Sequence, residues 1–293
     1  AGASMTRLRR MTDATIRARQ SFRHAPRSRR HFVMMTCPTA LFFNHLEGTP
    51  MANYLLVHGA WGGAWYWRPV QHALIRAGHH AHAVTLTGLG ERAHLLSPAI
   101  TLGTHIADVR QALAAEEMKD CILVVHSYAG MLGTAVADRE PPGTLRHLVY
   151  VDAVVPKPGE SWSATHASAT RRERLHAAEV SPTYSFPAPD PGVFGLSAQD
   201  HAWVARRQVP HPGHTYTEPL EFDARRVARV PRSFIDCTAP KLATIDVVRQ
   251  RVRDPAFWDG AWLPGSRIVE MATGHDPMIS ETEAMTRLLL ELA

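Results

Sequence analysis

From Asn53 onward, short apolar runs alternate with stretches of helical period. Tyr54–Val57, His82–Leu86, Cys121–Val125, Leu148–Asp152, Ser233–Cys237 and Arg267–Glu270 have the length and composition of strands. Between them the 3.6-residue period predicts helices near residues 67–77, 104–117, 129–139, 241–253 and 277–291. Ile122-Leu123-Val124-Val125 offers no polar position to water, as a parallel strand covered on both faces requires. The alternation predicts an α/β fold, a doubly wound and mostly parallel sheet.

Residues 155–230 interrupt that rhythm. They are rich in Pro, Arg, His and aromatic residues, and Pro182, Pro187, Pro189 and Pro191 preclude long helices there. So long an insertion exceeds a plain loop. We expect a cap over the carboxyl ends of the strands, where open α/β sheets bind ligands. The core is then residues 51–154 and 231–293.

Composition narrows the field. The net charge of +5 belongs to the first fifty residues, which hold nine arginines and only Asp13 and Glu47 as acids. The other residues hold 23 basic and 25 acidic side chains, so the body has no electrostatic footprint for nucleic acid. Residues 1–50 show no useful period and read as an Arg-rich extension, disordered or foreign to the native chain, with Met51 as the natural start. A transit peptide, a basic arm and a twin-arginine export signal at Ser28–Val33 are the other readings. No run is long and apolar enough to span a bilayer, so no membrane partner is expected. Cys37, Cys121 and Cys237 are an odd count, two of them in apolar runs, which fits a reduced, cytoplasmic protein.

Three motifs carry chemistry. The apolar run from Cys121 ends in His126-Ser127-Tyr128-Ala129-Gly130 and then opens a helix. A serine on such a turn is exposed at the sheet edge, beside helix N–H groups that favour developing negative charge; it is equally a good helix cap. Leu55-Leu56-Val57-His58-Gly59-Ala60-Trp61-Gly62-Gly63 ends a strand in a glycine-rich turn, which can aim N–H groups at an oxyanion or merely reverse the chain. Gly274-His275-Asp276 follows the last strand, and a histidine there can reach the serine as its general base.

These pieces, with Thr87-Gly88-Leu89-Gly90-Glu91-Arg92 and Val151-Asp152-Ala153-Val154-Val155-Pro156, make residues 53–293 resemble the α/β-hydrolase superfamily. The chain is similar to the small esterases grouped with plant methylesterases and hydroxynitrile lyases, and to their bacterial relatives. The resemblance implies Ser127 as nucleophile, His275 as base and the N–H groups of Ala60 and Tyr128 as oxyanion hole. It implies a serine carboxylesterase acting on a small ester through an acyl-enzyme, with a homodimer possible.

Two positions depart from the family. Val125 and Ala129 stand where Gly-x-Ser-x-Gly has glycines, and a β-branched residue there crowds the elbow. Pro240 falls where the family usually places its acid. Asp152, at the end of the strand after the nucleophile strand, is the preferred orienter of the histidine, with Asp236 as the alternative. A hydroxynitrile lyase is the second reading, but Asp276 stands where the plant lyases carry a lysine, and Ala60 where they carry a hydroxyl. A non-catalytic ligand-binding homologue is the third.

No metal or cofactor is expected. His79, His80, His82, His211 and His214 lack the spacing of zinc hydrolases and read as solvated. No phosphate-cradling or dinucleotide motif is present. His58, Trp61, Trp162 and Trp203 are the candidates for the pocket lining, which favours an apolar or aromatic ester.

Overall fold

The computed structural model describes residues 51–293. The expectations for residues 1–50, Cys37 included, lie outside the described residues. Six parallel strands form the central sheet: β1 (Asn53–Val57), β2 (His80–Val84), β3 (Cys121–His126), β4 (Leu145–Val151), β5 (Arg232–Cys237) and β6 (Ser266–Met271). Their order across the sheet is β6-β5-β4-β3-β1-β2, so it winds outward in both directions from β1 and β3. With every strand parallel, all carboxyl ends lie on one edge, and the three chemical motifs share it.

The unbroken apolar runs are explained by burial on both faces. Tyr54, Leu56, Ile122, Val124, Val149 and Val151 join one layer with Val70 and Leu74 of helix α1 (Arg68–Arg76) and Met285 and Leu289 of the C-terminal helix. The alternate positions Leu55, Val57, Leu123, Val125, Leu148 and Tyr150 join the opposite layer with α2 (Leu102–Ala115) and α3 (Gly130–Arg139).

Some boundaries differ from the sequence reading, for local reasons. The second strand begins two residues earlier than expected, with His80 paired to Asn53, and ends two residues earlier because the Leu86 N–H donates to the His58 ring instead of to the ladder. The helix expected at 241–253 is regular only over Asp246–Arg251 after a 3₁₀ turn. The last helix breaks at Glu281 into Pro277–Ser280 and Thr282–Leu290. Residues 155–230 contain a twelve-residue helix, α4 (Ser168–Glu179), which ends before the first of the four prolines. They also contain α5 (Ala198–Ala205) and two short antiparallel ribbons, 160–161 with 219–220 and 185–186 with 211–212.

Helix α3 lies unusually close to the sheet. A Cβ on Gly130 would stand 1.8 Å from the Val154 carbonyl oxygen, and one on Gly133 would stand 2.9 Å from both Val125 methyls. The bulk that Val125 adds to the elbow is therefore taken up one helical turn further on, by the missing side chain of Gly133. Gly133→Ala is expected to destabilise the fold by about 1–3 kcal/mol in spite of alanine's better helix propensity. In a Val125→Ala background the same change should cost nothing or stabilise, and urea unfolding of the four proteins measures that coupling.

Candidate active site

The serine turn is strained in the way an exposed nucleophile requires. Ser127 has φ of +55°, a left-handed conformation unfavourable for a residue with a Cβ, at a cost of about 1–3 kcal/mol. It opens one 3₁₀ turn, Ser127–Ala129, that runs directly into α3. The Ser127 carbonyl accepts from the Val154 N–H at 2.9 Å, which ties the turn to the segment after β4. The elbow forms despite Val125.

The motifs converge at this turn. Ser127 Oγ lies 2.9 Å from His275 Nε2, and His275 Nδ1 lies 2.7 Å from Asp152 Oδ2. His275 and Asp152 are buried, Asp152 completely, while Ser127 keeps partial exposure. A Cβ on Gly59 would meet Ser127 Cβ at 2.8 Å, so the backbone before Ala60 is pressed against the serine. Ala60 and Tyr128 thus border the serine from the β1 turn and from the elbow.

Asp236 does not approach the histidine. Its carboxylate accepts from Arg249 Nε at 2.6 Å and from Arg253 Nη2 at 2.8 Å. Arg249 is what the sequence reading missed. Its Nη2 donates to the free oxygen of Asp152 at 2.8 Å, and its Nη1 donates to Asp246 at 2.8 Å. One guanidinium thereby bridges the ends of β4 and β5. The signal available was an arginine beside Val248 on an otherwise apolar helix face, and Arg251 and Arg253 nearby concealed it. Pro240, at the family's usual acid position, packs against Gly195: a Cβ there would come within 2.5 Å of its ring.

The His275 loop is held from residues 155–230. Its N–H donates to the Phe194 carbonyl at 3.0 Å, and the Phe194 and His275 rings lie 5.4 Å apart. Gly274 is required by this approach, since a Cβ there would stand 2.1 Å from the Phe194 oxygen. Beneath the loop, His126 Nε2 donates to the His275 carbonyl at 3.0 Å and lies 3.4 Å from Asp276 Oδ1. Burial holds the His126 ring neutral, its pKa well below the ordinary value.

Three other imidazoles brace the site. His58 accepts from the Leu86 N–H at Nε2 and donates from Nδ1 to the Gly59 carbonyl. His105 donates to the Thr87 carbonyl and accepts from the Tyr128 hydroxyl. His211 accepts from the Trp61 N–H and donates to Thr215. Burial lowers His58 and His105 to about 4 and holds His211 well below the ordinary imidazole value, so all three are neutral struts.

Several expectations change here. His58 is fully buried with both ring nitrogens bonded to backbone, so it positions the turn and offers no atom to a substrate. His211 and His79 are buried and bonded to backbone N–H groups, not solvated. His80 and His82 share Glu116. Trp61 and Trp162 meet edge to face at 6.0 Å, and Trp162 lies 4.9 Å from the Tyr128 ring. Trp203 is elsewhere: it packs edge-on against Trp65 at 4.9 Å, under the Arg207 guanidinium, in the α1 layer. Aromatic identity carries no direction, and α5 turns this ring away from the serine.

Comparison with known proteins supplies the context. A family model described as "Alpha/beta hydrolase family" matches residues 54–288. The chain is 38% identical over 250 residues to a carbendazim hydrolyzing esterase of Nocardioides sp. (strain SG-4G), covering 83% of this chain and 100% of that protein. It is 26% identical over 263 residues to methylesterase 7 of Arabidopsis thaliana, covering 82% and 96%. An extracellular alpha/beta-hydrolase from a Paenibacillus species has the same fold, with a TM-score of 0.68 at 19% identity, over 83% of this chain and 99% of that one. Among the described residues no helix is long and apolar enough to cross a membrane.

Two consequences can be measured. Arg249→Gln leaves Asp152 and Asp236 buried without their shared cation, and should cost about 3–5 kcal/mol in chemical unfolding. Asp276 is held by burial at a pKa of about 6 instead of 3.8, opposed by the charge of His275. The folded protein therefore holds this proton more tightly than the unfolded chain. The resulting stability is full below about pH 4 and is lost as pH rises through about 6. Asp276→Asn should gain on the wild type over that window by roughly 3 kcal/mol at most, and a difference independent of pH would contradict the assignment.

Proposed function

The chain belongs to the α/β-hydrolase family, and from that premise we propose that it is a serine carboxylesterase cleaving a small apolar or aromatic ester through an acyl-enzyme. The observation that carries the reading is the continuous contact from Ser127 Oγ through the His275 ring to Asp152, at 2.9 and 2.7 Å. Its relatives of near-full coverage are esterases, one of them a carbendazim hydrolyzing esterase and another a methylesterase, which supports ester hydrolysis.

In this mechanism His275 Nε2 takes the proton as Ser127 Oγ attacks the ester carbonyl. Asp152 accepts from the Nδ1–H of His275, keeps the ring in the productive tautomer and stabilises the imidazolium. The N–H groups of Ala60 and Tyr128, at the mouth of the β1 turn and the foot of α3, hold the oxyanion. His275 returns the proton to the departing alcohol. Water activated by the same imidazole then releases the acid. Trp61 and Trp162, beside Ala60 and Tyr128, line the apolar side of the site. Residues 155–230 act as its cap.

The lyase reading gains no support: Asp276, where the plant lyases carry a lysine, is a buried acid turned to His126 and offers no cation to a cyanide. The binding-only reading drew on Val125 and Pro240. Gly133 absorbs the first, and Asp152 makes the second immaterial.

Initial rates on p-nitrophenyl acetate and butyrate test the assignment. Ser127→Ala is expected to lose about 10⁴-fold or more, and Asp152→Asn roughly 10³ to 10⁴-fold. Asp236→Asn, acting only through Arg249, should lose far less. A Ser127→Ala protein as active as wild type would refute the proposal.

A further inference from the structure

Beside the serine lies a nest of aromatic rings built from both parts of the chain. Trp61 follows the β1 turn, and Trp162, Phe186 and Tyr216 come from residues 155–230. All four rings are buried. One cation stands among them. The Arg174 guanidinium of α4 lies 5.2 Å from the Trp61 ring, 5.5 Å from Trp162, 5.7 Å from Phe186 and 5.5 Å from Tyr216.

No carboxylate among the described residues forms an ion pair with this guanidinium. Its described hydrogen bond runs from Nη1 to His166 Nε2 at 3.0 Å. His166 turns its Nδ1 toward the Trp162 carbonyl, and burial together with Arg174 lowers its pKa to about 4. It is a neutral prop and supplies no countercharge. The Trp61 indole N–H in the nest is buried and unpartnered, and the Tyr216 oxygen lies beside the guanidinium with its own proton still to donate. A guanidinium carries five donors in a fixed plane, so some of them remain open to a further acceptor here.

A half-buried cation seated on rings with no acid paired to it carries part of the cost of desolvation uncompensated. Ring faces recover part of that cost through their quadrupoles, but they leave the in-plane N–H groups open. The unspent groups are an indole donor, a phenol that can donate and a planar cationic fork. They match an acceptor that is anionic, and the surrounding faces match an aromatic ring. The nest also touches the reaction centre: Trp61 adjoins Ala60, and the Trp162 ring lies 4.9 Å from that of Tyr128.

We propose that Arg174, with Trp61 and Tyr216, forms a binding site for an aromatic carboxylate. The preferred substrate is then an aryl ester that carries a second, ionised carboxyl group. The guanidinium takes that carboxylate, and the rings stack on or meet the edge of the aryl group. The reactive carbonyl is left toward Ser127. The substrate class rests on the esterase reading, but the binding of the anion does not.

The experiment therefore separates the two. Isothermal titration of the Ser127→Ala protein with benzoate and with its uncharged isostere benzamide reads binding without turnover. Benzoate should bind at least about tenfold more tightly, as a charge-assisted fork requires. Adding Arg174→Met, which keeps the apolar stem, should erase that preference, while Arg174→Lys, which keeps the charge but loses the fork, should retain part of it. Equal binding of the two ligands to the Ser127→Ala protein overturns the inference, whatever happens to the Arg174 variants, and leaves Ser127-dependent hydrolysis of p-nitrophenyl esters untouched. A benzoate preference that survives Arg174→Met overturns it as well. A preference that requires Arg174, in a protein whose hydrolysis does not depend on Ser127, supports the site and removes the esterase reading alone.

Discussion

A fully buried carboxylate, that of Asp152, organises the reactive edge of this sheet. Burying a charge in an apolar layer is tolerable only if its oxygens are filled, and both are: one by the permanent cation Arg249, the other by the His275 ring. Arg249 in turn requires Asp236, and so binds β5 to β4 across the end of the sheet. Asp152 leaves its strand with φ of +40°, as Ser127 does at +55° and Trp61 at +60°. Three left-handed residues with side chains thus follow three adjacent parallel strands. Each is strained, and Ser127 and Asp152 are tied together through the His275 ring.

The tight seat of α3 is the second constraint. A helix can bring its N-terminal N–H groups to a strand end only if its first turns have little side chain on the sheet side. Gly130 and Gly133 provide that, and the contact with Val154 and Val125 leaves no room for more. The departure at Val125 is therefore a relocation of free space along the helix rather than a loss of the elbow.

Much of this was legible in residue order. Each expected strand formed, and the central ones were the plainest, because strands covered on both faces favour unbroken apolar runs such as Ile122–Val125. The serine, the histidine and the glycine-rich turn were legible for a related reason: each sits at the carboxyl end of such a run, and parallel strands must put those ends on one edge. Asp152 could be inferred by the same logic once Pro240 had displaced the usual acid. What could not be read was direction. Arg249, Arg251 and Arg253 are equivalent in sequence, and only the turn of a six-residue helix decides which one faces inward. Trp203 and Trp162 are likewise two tryptophans in one insertion, and one of them packs on the far layer. His79 and His211 were misjudged because a polar residue reads as solvated until its backbone partners are known.

The bond from the His275 N–H to the Phe194 carbonyl has a mechanical meaning. Phe194 lies in the stretch between β4 and β5, whereas His275 lies at the end of the chain, so the two loops are bolted together at the imidazole's own residue. Gly274, with no side chain to act as a spacer, lets that joint close. Any lifting of residues 194–195 pulls the base away from the serine or breaks the bolt. The placement of the proton acceptor is consequently shared between two distant parts of the chain, and a change in either is felt at the imidazole.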